Sequence, residues 1–220
     1  MLFDDYEKII VGIGESFNTK VPKDISEIEK LRYVRDNTDK SIVDAYNILA
    51  KNLKGKDYFI VSTCTDDVIL HSDIDSEKVV LPCGGFRYFQ CPDDCMNELL
   101  PFYDQVLEND KLPVCPHCNK EVVFNRLPIE KYNEGGYLEQ WEKYNRFLQG
   151  TVNKSLLILE LGVGMNYPSV IRFPFEKIAM FNKKSKMIRV HPTLAFSTPE
   201  IKDTCECISA DPVAFLRDLC

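Results

Sequence analysis

The chain predicts an α/β fold: a parallel sheet with helices on both faces, interrupted by a small inserted module that carries four cysteines. Three observations predict it. Short, wholly apolar runs alternate with segments of helical period, as strands buried on both faces alternate with their crossover helices. Three of those runs end in glycine or small polar residues, where a strand gives way to a turn. The alternation stops near residue 85 and resumes near 150, and two cysteine pairs lie in the interval.

Along the chain, YEKIIVGIGES contains a buried strand, Lys8–Ile13, running into a small-residue turn. DISEIEKLRYV (24–34) and SIVDAYNILAKNL (41–53) place apolar residues at three- and four-residue spacing, with Asp24 and Ser41 as N-caps. DYFIVST (57–63) is a second strand and KVVLP (78–82) a shorter third. Inside the insert, NELLPFYDQVLEND (97–110) reads as a helix despite its proline, and GYLEQWEKYNRFLQG (136–150) as another that stops at Gly150. SLLILELG (155–162), KMIRVH (186–191) and ECISAD (206–211) are the strands of the second half, with PSVIRFPFEKIAMFN (168–182) and PVAFLRDL (212–219) as its helices. These elements divide the chain into a Rossmann-like domain of residues 1–84 and 151–220, with residues 85–150 as the insert.

Composition removes several function classes. A net charge of −7 lacks the basic face that general nucleic-acid binding needs. No apolar run approaches the roughly 18–20 residues that cross a bilayer. The opening stretch, MLFDDYEKIIVGIGES, is acidic where a signal peptide is basic. Nine cysteines, an odd count without such a signal, point to thiols and metal ligands in a reducing, cytoplasmic setting.

Cys91-x3-Cys95 and Cys115-x2-Cys118 stand 19 residues apart. Two knuckles of this spacing bring four thiolates to one tetrahedral zinc, and with all four positions filled the site is structural rather than hydrolytic. His117, inside a knuckle, reads as a neighbour of the site and not a ligand. Lys120 can offset part of its negative charge. Gly12-Ile13-Gly14-Glu15-Ser16 and Gly162-Val163-Gly164-Met165-Asn166 each follow a buried strand, and Ser62-Thr63-Cys64-Thr65-Asp66 is a third polar strand end. Small residues there let backbone amides reach a phosphate, the arrangement of a nucleotide crevice. Each is also what a tight strand-to-helix turn requires, and a third fingerprint glycine is replaced by Phe17.

This order of motifs resembles the sirtuins, the NAD-dependent protein deacylases and ADP-ribosyltransferases. GIGES (12–16) stands where that family has GAGxS, and YFIVSTCTDDV (58–68) where it has a strand ending in T-x-N-x-D. CGGFRYFQC (83–91) is similar to the stretch running from the family's catalytic position into the first zinc cysteine. LELGVGMNYPSVIRFPFE (159–176) and MIRVHP (187–192) are similar to its later nucleotide-contacting strands. GMNYPSVIRFPF is nearest to the bacterial branch linked to macrodomain operons. The resemblance implies zinc on Cys91, Cys95, Cys115 and Cys118. It implies NAD or ADP-ribose on Gly12, Gly14, Glu15, Ser16, Gly162, Gly164, Asn166 and His191. An acylated or lipoylated protein is the implied macromolecular substrate.

The departures fall on the chemistry. Cys64 takes the position of the family's asparagine, with Asp66 retained, and Cys83 takes that of the catalytic histidine or glutamine. The G-I-P-D-F-R segment of the cofactor loop has no counterpart. Two readings stay open: an NAD-dependent transferase using Asp66 with Cys64 and Cys83, or a module that binds NAD, ADP-ribose or a modified protein without turnover. A third makes Cys64 and Cys83 a redox pair across the crevice. His71 reads as a polar loop residue, and Trp141 and Tyr144 as packing residues. Cys205 and Cys207 are expected on opposite faces of their strand, unable to share a metal.

Overall fold

The computed structural model describes residues 2–219, so Met1 and Cys220 of the expected division lie outside it. The first half holds β1 (Lys8–Ile13), α1 (Glu27–Asn37), α2 (Lys40–Leu53), β2 (Tyr58–Ser62) and β3 (Val79–Val80). Next come β4 (Gly84–Gln90), β5 (Leu100–Pro101), α3 (Gln105–Asn109), β6 (Val123–Arg126) and α4 (Leu138–Gln149). The last third holds β7 (Leu156–Leu161), α5 (Arg172–Phe181), β8 (Ser185–Val190), β9 (Cys205–Ile208) and α6 (Pro212–Arg217). No helix among the described residues is long and apolar enough to cross a membrane.

The large sheet has six strands in the order β3-β2-β1-β7-β8-β9. Every pairing in it is parallel. Alternate side chains serve two cores. Ile9, Val11 and Ile13 of β1 join the cluster built with α1, α2 and α6, while Ile10 joins the one built with α4 and α5. Tyr144 and Trp141 of α4 belong to the second, the Tyr144 ring lying 5.5 Å from that of Phe59. The chain builds outward from β1 in one direction and, from β7, in the other, so the strand order reverses between two paired neighbours.

A second sheet, β5-β4-β6, is antiparallel. Its core is aromatic: Phe124 meets Phe89 at 4.6 Å and Phe86 at 4.9 Å between ring centroids. A register shift between Gly84 and Phe89 lets Phe86 and Phe89, three residues apart, share one side.

Several sequence expectations are corrected. Residues 97–110 are not one helix: Leu100 and Pro101 pair with Phe89 and Tyr88, and only Gln105–Asn109 is helical. Pro101 lacks the amide hydrogen a helix interior needs, and an edge strand tolerates that loss. α5 begins at Arg172, after turns that follow Pro168, and β9 starts one residue earlier and stops three residues sooner than expected. α1 is capped by Ser26, not Asp24: Ser26 Oγ accepts from Glu29 N at 3.2 Å and the Glu29 carboxylate accepts from Ser26 N at 2.7 Å. At α2, Asp39 is the cap and Ser41 N its donor. Cys205 and Cys207 lie on the same face, their sulfurs 3.8 Å apart, because residues two apart on a strand point the same way.

The capping box makes a clean test. Ser26→Ala should cost about 1 kcal/mol in urea unfolding, as loss of an N-cap does. Asp24→Ala, at an exposed position outside the box, should leave the midpoint unchanged.

Candidate functional site

Parallel sheets of this kind bind ligands beyond the carboxyl ends of the strands, where the strand order reverses. Here that point lies between β1 and β7, and both glycine motifs converge on it. Gly14 N donates to Leu161 O at 2.9 Å and Ser16 N to Gly162 O at 3.3 Å. The backbones interlock so closely that a Cβ on Gly14 would stand 2.2 Å from Val163 Cα and 2.3 Å from Gly162 O. Gly162 has φ +62°, and a Cβ there would meet Ser16 Cβ at 2.6 Å. Glu15 ties the two loops together, its Oε2 accepting from Gly164 N at 2.9 Å. Gly12 serves a different contact: a Cβ would run into Ile171 at 2.5 Å and Phe175 at 2.8 Å, so its task is to admit α5. Asn166 is exposed on the loop beyond Gly164.

His191 follows β8. Its Nδ1 accepts from Leu194 N at 2.9 Å and Thr193 N at 3.1 Å, which leaves the proton on Nε2. Burial and the nearby Arg172 charge lower its pKa, so the ring is neutral at physiological pH.

The third strand end supplies Cys64 and Asp66. Cys64 is buried, and its thiol donates to Gly14 O at 3.2 Å. Burial raises its pKa well above the usual thiol range, with the Asp66 charge adding to the effect. Asp66 accepts from Thr19 N at 2.8 Å, Thr19 Oγ1 at 3.1 Å and Val68 N at 3.3 Å, yet burial still raises its carboxyl pKa. Cys83, wholly buried at the entry to β4, is pushed up to about 12, first by burial and then by the Glu15 charge. At physiological pH both thiols are protonated, which makes neither a base nor a nucleophile.

Sequence reasoning missed three groups around these residues. Asp67, in the left-handed region at φ 59°, accepts from Phe86 N at 2.5 Å and sits 3.7 Å from Arg87 Nε. It joins the end of β2 to β4, and Gly85 is glycine because a Cβ would fall 2.1 Å from Asp67 Oδ1. Tyr132, Tyr137 and Tyr167 have hydroxyl pKa values raised by burial and, in part, by Cys83, and the buried Tyr132 hydroxyl has no partner among the described residues. The third group is ionic. Arg189, fully buried, gives Nε and a terminal nitrogen to Glu160 at 2.6 and 2.9 Å, and its other terminal nitrogen to Glu176 at 2.8 Å and Phe196 O at 2.6 Å. Arg172 lies alongside, donating to Leu194 O at 3.2 Å with its guanidinium 4.6 Å from the Phe196 ring centroid. One signal for the pair was available: Glu160 is the one charge inside the apolar run Leu156–Leu161, and Arg189 stands opposite it in register.

Between α1 and β4 a cavity of ≈480 Å³ is lined by Leu31, Val34, Phe86 and Phe102 together with Asp66 and Arg87. The four cysteines of the two knuckles converge as expected. Sulfur separations are 3.3 Å for Cys91–Cys95, 3.4 Å for Cys95–Cys115 and 3.6 Å for Cys91–Cys118, all four lying within 4.8 Å. Each knuckle turns through a left-handed residue, Asp94 or Asn119. Zinc–sulfur bonds of about 2.3 Å give tetrahedral sulfur–sulfur edges of about 3.8 Å, so this donor set could hold that ion. Lys120 pairs with Asp93 beside it.

The chain matches solved structures over nearly its whole length. A Sir2 bound to a p53 peptide and NAD+ superposes with a TM-score of 0.61 at 16% identity, covering 99% of this chain and 94% of that one. A Sir2 bound to an acetylated peptide gives 0.62 at 15%, covering 98% and 93%. The chain has the sirtuin fold. No family model matches the sirtuin-like sequence. Among curated proteins it is 30% identical over 167 residues to a probable bifunctional ADP-ribose hydrolase/ADP-ribosyltransferase of Fusarium oxysporum f. sp. cubense, covering 66% of this chain and 28% of that protein. It is 22% identical over 160 residues to a protein ADP-ribosyltransferase of Staphylococcus aureus, covering 67% and 51%. The chain thus spans roughly a quarter and a half of these relatives.

The state of the crevice thiols can be read chemically. Iodoacetamide at pH 8 should modify the exposed Cys207 in the folded protein and leave Cys64 and Cys83 unmodified, all three reacting once urea unfolds the chain. Peptide mass spectrometry reports this directly, and rapid native labelling of Cys83 would contradict its burial.

Proposed function

We propose that this sirtuin-like chain binds NAD at the β1–β7 crevice and transfers its ADP-ribosyl group to a protein. The observation that carries the reading is the pair of interlocked glycine loops at the reversal point, where a side chain at Gly14 or Gly162 would collide with its neighbours. The names of the two curated relatives favour ADP-ribosyl transfer over deacylation. Gly14, Ser16, Gly162, Gly164, Asn166 and His191 are the proposed nucleotide residues, with Gly12 seating α5 under the loop and Glu15 bridging the two glycine loops through Gly164 N. NAD supplies an ADP-ribosyl group activated by its nicotinamide leaving group. Asp66, held by Thr19 and Val68, is the proposed polar group at the reacting end, with Cys64 and Cys83 as its neutral neighbours. The cavity beside Asp66 is the proposed seat for the acyl or lipoyl chain of a modified protein. Residues 1–84 and 151–220 would serve the nucleotide. Residues 85–150 would carry zinc on Cys91, Cys95, Cys115 and Cys118.

One observation favours a second reading, binding without turnover. The two positions where the family has its asparagine and its histidine or glutamine hold thiols that stay protonated, so neither can take a proton from a ribose hydroxyl. Calorimetric titration of the purified protein with NAD and with ADP-ribose, with nicotinamide release followed in the same samples, separates the two. Binding with release is the expected outcome for the transferase and binding alone for the reader. Binding of neither ligand would overturn both.

The metal site has its own test. The purified protein should contain one zinc per chain, and Cys115→Ser should lose it and lower the thermal midpoint, as structural zinc sites couple binding to folding. Metal analysis that finds no zinc in the parent protein would overturn the assignment.

A further inference from the structure

Glu15 follows Gly12-Ile13-Gly14 and precedes Ser16, and its half-buried carboxylate bridges the two glycine loops. Its Oε2 takes the Gly164 amide at 2.9 Å, at the tip of the second glycine loop. Its negative charge is felt on every side: it raises the pKa of Cys83, Cys64 and Tyr167 and opposes the lowering of that of His191. Backbone amides at such strand ends are what a diphosphate uses. A carboxylate and a phosphate that share one amide hydrogen each bond it more weakly, and two anions at that separation in a partly buried site repel strongly. The same amide therefore has two claimants of the same charge, one of which is part of the chain.

We propose that Glu15 is a built-in competitor for the nucleotide's diphosphate, holding the Gly164 amide until an anionic ligand displaces it. This rests on the nucleotide reading of the crevice and deepens it. The carboxylate sets the threshold for binding, discriminating against the diphosphate while leaving the adenosine part of a ligand unaffected. Displacement needs only a side-chain rotation, since the Glu15 backbone stays in its short helical turn, Glu15–Phe17.

The experiment compares wild type, Glu15→Gln and Glu15→Ala by calorimetry with two probes, ADP-ribose and adenosine. Glu15→Gln keeps an acceptor for Gly164 N and removes the charge, so it carries the test if the alanine variant fails to fold. Both variants should bind ADP-ribose about tenfold more tightly than wild type or better, as removal of a like charge from a phosphate contact predicts. Adenosine affinity should not change. Binding of ADP-ribose by the variants alone would support the competition and at the same time overturn the reading of the wild-type chain as a nucleotide binder. Unchanged or weaker ADP-ribose binding in both variants, with wild type binding, would overturn it and leave the nucleotide reading standing. So would a parallel gain for adenosine, which would report a general opening of the crevice. Failure of all three proteins to bind ADP-ribose would overturn the inference together with that reading.

Discussion

The fold turns on one close approach. Where β1 and β7 end side by side, the backbone at Gly14 runs so near Val163 and Gly162 that no side chain fits between them. That contact fixes the relation between the two halves of the sheet, since β1 leads to β2 and β3 on one side and β7 to β8 and β9 on the other. The surrounding interactions depend on it. The Cys64 thiol reaches Gly14 O only because β2 ends level with β1, and Gly162 N reaches Val190 O only because β8 ends level with β7. Four neighbouring strand ends are thereby held level with one another, and the loops that follow them are cross-linked by hydrogen bonds. Such rigidity is what a binding crevice needs, because a ligand then need not order the loops itself.

A second constraint acts one layer below. Glu160, Arg189 and Arg172 are almost completely buried, and burial raises the Glu160 carboxyl pKa more than its bonds to Arg189 lower it. Buried ion pairs of this kind are weak sources of stability, because desolvation offsets most of the attraction. What this one supplies is placement. Arg189 and Arg172 hold the carbonyls of Phe196 and Leu194, so the segment after β8 is tied to the middle of the sheet, and with it the backbone donors on His191 Nδ1. Replacing the network with apolar residues of similar volume would leave that segment unanchored even if the sheet stayed intact.

The parts that sequence revealed share one property: their signal is local. The strands at Lys8–Ile13 and Leu156–Leu161 are continuous apolar runs bounded by glycine or polar residues, and a fully buried parallel strand has no other way to be written. The four-cysteine cluster was legible because each knuckle lies within five residues. What escaped depends on partners distant in sequence or on broken periodicity. β4 carries two glycines and a register shift, so its buried phenylalanines do not alternate, and nothing marks it as a strand until β6 lies beside it. Asp67 looks like a second solvated acid after Asp66 until Phe86 N and Arg87 approach it from the other sheet. Placing the α1 cap at Asp24 overlooks a capping box present in the letters, Ser26 followed three residues later by Glu29. The opposite-face reading of Cys205 and Cys207 is an error of strand geometry, correctable from sequence alone.

The two crevice cysteines show why position and chemistry have to be argued separately. By order along the chain, Cys64 and Cys83 are expected where the sirtuins have their asparagine and histidine or glutamine. By environment they are poor substitutes. A thiol becomes a base or nucleophile when a cation or metal stabilises its thiolate, and the charges near these two, Asp66 and Glu15, are negative. Every acid at the crevice works against thiolate formation, and so does burial. The redox-pair reading meets the same obstacle, since disulfide exchange starts from a thiolate and the Cys64 thiol is already engaged with Gly14 O. Any proton transfer in this crevice must therefore fall to an oxygen or nitrogen group. The groups in place include Glu15, Asp66, neutral His191 and the tyrosine hydroxyls near Cys83. Of these, Asp66 is bound to Thr19 and Val68 and His191 to its own loop by Nδ1, so Glu15, tied by one bond to Gly164, is the acid with the most freedom to move.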